Sequence, residues 1–158
     1  MCIMTDGSEK PLPSTAEILT DNGISIVWRG HDGWIYKRSI PFLIENELWC
    51  LNQVAHRSYA PTAERYDKYT LKIKDLGNSE PVDAPQIFRE HCEYLLDILK
   101  ILGIRHGDLT EYAIIVKNNV PFIIDFAESR LADDPRPDKR PEGDEYWLNR
   151  TVEKLCQN

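Results

Sequence analysis

Two aspartates bracket a short apolar hairpin in the second half of the sequence. Asp108 lies in Ile104-Arg105-His106-Gly107-Asp108-Leu109-Thr110, and Asp125 in Ile123-Ile124-Asp125-Phe126-Ala127. Between them, Ile114-Ile115-Val116 and Phe122-Ile123-Ile124 flank Asn118-Asn119, which reads as a β-hairpin. A hairpin folds its two ends together, so the carboxylates are expected at neighbouring ends of one small sheet. Carboxylates at a shared polar site suit a hard, oxygen-liganded cation, or a base beside a metal ligand. The cysteines at 2, 50, 92 and 156 are too scattered for a zinc knuckle or a redox pair.

The elements that must position these aspartates are legible in outline. Ile18-Leu19-Thr20, a turn at Asp21-Asn22-Gly23, then Ile24 to Trp28, an Asp32-Gly33 turn, and Trp34 to Ser39 predict a three-stranded meander. Pro41 suits a first helical turn. The helix expected from Phe42 to Val54 carries Leu43, Glu47, Leu51 and Val54 on one side. Ala63–Tyr69 and Leu71–Leu76 read as a strand pair. Pro85 opens a second helix to Leu102, with a stripe of Ile87, Tyr94, Leu95, Ile98 and Leu102, and Gly103 stops it. A charged, proline-rich stretch from Asp133 to Gly143 reads as a solvated loop. A last helix is expected from Asp144 to about Cys156, with Trp147, Leu148, Val152 and Leu155 inward. Segregated strand and helix runs predict an α+β fold.

Length and composition set the frame. The chain of 158 residues suits one domain. Residues 1–16, with Pro11 and Pro13, read as a loose arm before a domain spanning 17–158. Its 26 acidic and 19 basic side chains give a net charge of −7, which disfavours nucleic acid as a bulk electrostatic partner. No apolar run approaches a membrane span and no basic leader precedes an apolar stretch, so no membrane is expected. Scattered thiols fit a reducing compartment, cytoplasmic or nuclear.

The two aspartate segments resemble known motifs. His106-Gly107-Asp108-Leu109 is similar to the catalytic loop of the protein kinase-like superfamily, and Ile124-Asp125-Phe126-Ala127 to its metal-binding loop. Within that superfamily, His106 to Tyr112 and Ile123 to Ser129 most resemble the RIO-type atypical kinases. The resemblance implies a minimal two-lobed fold, with a β-rich lobe over about 17–77 and a reduced helical lobe over about 78–158. It implies ATP and magnesium as cofactors and an unidentified protein as substrate or partner. By the same resemblance Asp108 positions or accepts a proton from the substrate hydroxyl, and Asp125 holds magnesium on the ATP phosphates. Lys37 would contact those phosphates, paired with Glu47, or with Glu45 as the fallback. Gly23 belongs to the phosphate-covering loop, and Asp75 and Leu76 to the hinge beneath the adenine. His106 is expected as a packed loop residue, and Asp144 as a brace beneath the catalytic loop.

Three positions depart from the motif. The fifth position after Asp108 normally carries a metal-binding Asn and here is Ala113. The phosphate-covering loop has one glycine, Gly23, where several are usual, and Ala127 replaces a glycine. Two functions therefore stand side by side: an ATP-dependent phosphotransferase, and a pseudokinase acting as a binding or regulatory module.

Overall fold

Short β-branched and aromatic runs separated by glycine turns build a five-stranded antiparallel sheet in the computed structural model, which describes residues 15–157. Its strands are β1 (Thr15–Asp21), β2 (Ile26–Gly30), β3 (Trp34–Arg38), β4 (Ala63–Asp67) and β5 (Thr70–Lys74), in the order β1-β2-β3-β5-β4. The expected arm, 1–16, falls outside the described residues except for Thr15 and Ala16, which begin β1. The meander and the later strand pair are thus one sheet, joined where Lys37 of β3 faces Leu71 of β5. Side chains of β3 alternate: Tyr36 stacks on Trp28, ring centres 5.5 Å apart, while Ile35 and Lys37 turn to the opposite side.

Helix α1 (Pro41–Ala55) links β3 to β4. Pro41 opens it, where its missing N–H costs nothing. Its buried face is Ile44, Glu47, Cys50, Leu51 and Val54, so the inner position in the first turn is Ile44, and Leu43 is only half-buried.

The second lobe is built on α2 (Pro85–Leu102), which ends at Gly103 with φ +68°. That left-handed conformation is open to glycine without a Cβ clash, and the Gly103 amide closes on the Lys100 carbonyl at 3.1 Å. The stripe expected on α2 holds in part: Leu95 is buried and Ile98 and Leu102 pack half-buried against the core, whereas Ile87 and Tyr94 are exposed and Phe88, Cys92, Leu96 and Leu99 complete the buried face. The apolar residues of the helix extend beyond one stripe, and periodicity cannot say where the buried face ends. After α2 come β6 (Ile104–Arg105), a single 3₁₀ turn (Glu111–Ala113), the hairpin β7 (Ile114–Lys117) and β8 (Val120–Ile123), then β9 (Arg130–Leu131), which pairs with β6. Asn118 and Asn119 both have positive φ, the conformation that tight hairpins need and asparagine tolerates. The Asn119 side-chain oxygen also accepts the amides of Asp83 and Ala84, 2.9 Å each, which lead into α2.

Helix α3 (Asp144–Cys156) closes the chain, burying Leu148, Thr151 and Val152 with Trp147 and Leu155 half-buried. One apolar core runs through both lobes, from Ile44, Leu51 and Leu71 through Phe88, Leu95 and Leu109 to Phe126 and Leu148. Cys50 and Cys92 are buried in it as free thiols, and burial pushes both up to about 12, well away from reactive thiolate character. No helix of the described residues is long and apolar enough to cross a membrane.

Candidate active site

Three side chains from three elements meet where the lobes face each other. Lys37 Nζ of β3 lies 2.7 Å from Glu47 Oε1 of α1 and 3.2 Å from Asp125 Oδ1, just past β8. The strand period turns Lys37 inward. The helical spacing of Glu47 with Cys50, Leu51 and Val54 puts its carboxylate on the buried face. Glu45 points outward to Arg65 at 3.0 Å, so Glu47 is the partner of Lys37. Glu47 also accepts the Phe126 amide at 2.8 Å, tying α1 to the loop that carries Asp125.

The charges of the trio are set by each other. Burial works to lower the Lys37 ammonium, but Glu47 and Asp125 outweigh it and hold its pKa above the ordinary lysine value. Burial pushes the Glu47 carboxyl up, and Lys37 and the Phe126 amide oppose it without cancelling it. Burial also works to raise Asp125, but Lys37 and the Ala127 amide, 2.9 Å away, keep it below the usual carboxylate range. The Asp125 side chain is still 48% accessible, so it can reach a ligand from solvent.

Asp108 and Asp125 are linked through His106, which is buried. The His106 Nδ1 accepts the Asp108 amide at 3.1 Å, so its proton sits on Nε2, which donates to the Asp125 carbonyl oxygen. This neutral ring fixes the backbone of both aspartate loops at once. Burial holds its pKa below the ordinary histidine value, against the pull of Asp144 and Asp125. An unfolded histidine titrates near about 6.5. As pH falls through that value the unfolded chain therefore binds a proton that the folded chain refuses, and stability drops. The expected result is a melting temperature that falls between about pH 6.5 and 5, and a flatter profile over that window in His106→Gln. Equal slopes in the two proteins would contradict the neutral-ring role.

The catalytic-loop segment is held by α3 from below. Asp144 accepts the His106 amide at 2.7 Å and the Gly107 amide at 2.9 Å, and Thr151 donates its hydroxyl to the Leu109 carbonyl at 2.9 Å. Gly107 has φ +85°, and a Cβ there would stand 2.9 Å from the Glu128 carbonyl oxygen, so only glycine fits beneath the loop.

A cavity of about 220 Å³ opens between the lobes. Its walls include Leu19, Val27, Ile35, Ile73, Leu76, Ile115 and Ile124, and Lys37 and Asp125 face into it. Such a slot suits a flat apolar ring bearing an anionic tail. Leu76 lines it as the hinge reading expects. Asp75 does not: its carboxylate is taken by Arg29 at 2.7 Å and by the Gly77 amide at 2.8 Å. Gly23 sits at the β1–β2 turn with φ +83° and nothing within 4 Å of a Cβ position, and it is not part of the wall. Leu19 and Thr20 of β1 contribute there instead.

The stretch expected as a solvated loop is only partly that. Arg140 Nε lies 2.5 Å from Asp108 Oδ1 and Lys139 Nζ lies 3.5 Å from Oδ2, while the Arg140 amide bonds the Gly107 carbonyl at 3.1 Å. Arg140 also rests on Trp147, 4.5 Å from the ring centre. The basic run from Arg136 to Arg140 was the one available signal, yet nothing in its spacing says which cation meets which carboxylate. Thr151 gave no signal at all, since a helix threonine looks the same whether or not its hydroxyl finds a carbonyl.

Among the described residues no group of three or more His, Cys, Asp or Glu side chains is gathered to hold a metal ion. The donor set nevertheless fits one magnesium ion shared with a nucleotide. Magnesium is commonly held by one or two carboxylates together with substrate phosphates, and Asp125 offers one accessible carboxylate. Ala113, buried in the 3₁₀ turn, offers no ligand atom from its side chain.

None of the curated proteins matches the chain. A family model described as the RIO domain matches residues 63–151, more than half of the 158 residues, from β4 through the catalytic-loop segment to Thr151 of α3. With a five-strand lobe, one helix on it, the Asp108 loop braced by α3 and the Asp125 loop held by His106 and Glu47, the chain belongs to the RIO domain family, atypical kinases of the protein kinase-like superfamily.

Proposed function

We propose that this chain binds ATP with magnesium and transfers its terminal phosphoryl group to a protein hydroxyl. The observation that carries the reading is Lys37 held between Glu47 at 2.7 Å and Asp125 at 3.2 Å on the wall of an apolar slot. Leu76, Ile73 and Ile115 suit the adenine face, and Lys37 suits phosphate oxygens. Asp125 would hold the magnesium ion, which supplies charge neutralisation on the phosphates when bound. Asp108 would orient the acceptor hydroxyl and take its proton as the oxygen forms its new bond to phosphorus and the bond to ADP breaks. Glu47 and His106 keep Lys37 and the two aspartate loops in place, and such positioning is most of what a phosphoryl-transfer enzyme contributes.

A second reading, a pseudokinase acting as a binding module, is favoured by two observations. Ala113 offers no metal ligand, and Asp108 is covered by Lys139 and Arg140. A thermal-shift titration with ATP, with and without Mg²⁺, tests the nucleotide binding that the first reading requires and the second does not. At about a hundredfold excess over Kd the native state gains about 2.7 kcal/mol, so the melting temperature must rise. No rise with ATP and Mg²⁺ would overturn the phosphotransferase reading.

Turnover separates the readings further. Ala113→Asn places a hard amide oxygen at the motif's metal position. It is expected to raise ATP turnover above that of the native protein, and to give no gain in an Asp125→Ala background. A variant that binds ATP but gains nothing favours the binding module.

A further inference from the structure

A second cleft, of about 430 Å³, lies between the 3₁₀ turn and α3. Tyr112 lines both, and Arg140, bonded to Asp108, forms part of the second cleft's wall. The cleft follows one face of α3 from Trp147 to Gln157, just past the helix end. At about 1.5 Å per residue that track is about 15 Å long, the reach of about four or five extended residues. Its shape is therefore that of a groove for a short extended segment of chain, one end of which is formed by Arg140, the residue bonded to Asp108.

The charge along the groove is unlike the rest of the chain, which carries net −7. Arg140, Arg150 and Lys154 line it, against Glu111 and Glu153. Glu111 and Lys154 pair with each other at 2.5 Å, so the charges left to a ligand are Arg140 and Arg150 against Glu153. Arg140 spends only the Nε of its guanidinium on Asp108, leaving its terminal NH groups without a hydrogen bond among the described residues. Arg150 is exposed and pairs with no carboxylate among the described residues. It touches the Tyr146 hydroxyl at 3.5 Å and lies 5.7 and 5.8 Å from the Tyr146 and Trp147 rings. Aromatic faces orient a guanidinium without neutralising it, so Arg150 remains available to a carboxylate.

We infer that this groove binds an acidic peptide segment, with a serine or threonine beside Asp108 and aspartate or glutamate side chains running along α3 to Arg150. Its role as the acceptor site rests on the phosphotransfer reading. The preference for acidic chain does not.

The test uses the full chain without nucleotide and three fluorescein-labelled peptides with one serine each, followed by three aspartates, three alanines or three lysines. Anisotropy at low salt is expected to rank the acidic peptide first, about threefold to tenfold tighter than the alanine peptide, as one or two exposed charge pairs provide. Arg150→Glu, an exposed change, is expected to lose about that factor for the acidic peptide and to gain affinity for the lysine peptide. Arg150→Gln should lie between. Equal affinity for all three peptides, or no response to Arg150→Glu, overturns the inference. ATP and Mg²⁺ are then added. Nucleotide binding without acidic-peptide binding sinks the groove and leaves the phosphotransferase reading standing. Acidic-peptide binding without nucleotide binding does the reverse.

Discussion

Glu47→Ala is expected to lower the unfolding free energy by about 3–5 kcal/mol, the usual cost of removing one partner from a buried ion pair. Lys37 and Glu47 side chains are only 9% and 2% accessible. The truncation strands the ammonium with Asp125 alone, 3.2 Å away, and leaves the Phe126 amide without its acceptor at 2.8 Å. Both losses fall in one connected network, so they reinforce each other. Urea unfolding should show a lower midpoint at an unchanged slope. Replacing the pair by Lys37→Met with Glu47→Leu should recover only part of the loss, because the buried ammonium is gone while the Phe126 amide still lacks its acceptor and Asp125 loses its cation. A loss below about 1 kcal/mol for Glu47→Ala would mean that the pair is solvated, as surface pairs are.

Asp125→Ala and Asp108→Ala are expected to fail in different assays. Asp125 would act on the bound ground state, so its loss should abolish the magnesium-dependent part of the ATP-induced rise in melting temperature. Asp108 would act on the reacting complex, so its variant should keep that rise and lose about 10²–10⁴-fold in turnover. Asp125→Asn provides a check against simple loss of fold, since it keeps an oxygen for the Ala127 amide while removing the charge facing Lys37. Equal loss of ATP affinity in the Asp108 and Asp125 variants would contradict the division of roles.

Much of this site was legible in the residues themselves. The hairpin around Asn118-Asn119 appears in the structure because both residues tolerate positive φ, and that local chemistry needs no partner. Glu47 was identifiable over Glu45 because Cys50, Leu51 and Val54 fix the inward side of α1. Asp144 was placed beneath the catalytic loop, where it accepts two of its amides.

Other features depended on contacts between distant segments. The edge of the buried face of α2 was not decidable, since Ile87 and Tyr94 carry large apolar surface like Phe88 and Leu99, which the core selected. Asp75 went to Arg29 and the Gly77 amide because a carboxylate pairs with whatever donor the fold brings near.

The sequence by itself determined the strands of the five-stranded sheet and of the Asn118-Asn119 hairpin, the three helices and the two aspartate loops, but not the short β6–β9 pair, which joins Ile104–Arg105 to the distant Arg130–Leu131. Each element so determined depends on turn chemistry and side-chain periodicity acting over a few residues. Only the tertiary structure decided that β3 pairs with β5 to place Lys37 over Asp125. It also set His106 between the two aspartate loops and brought Arg140 to Asp108. Those arrangements join residues far apart in the chain, and what selects them is the burial of one core shared by both lobes, a quantity no local pattern encodes.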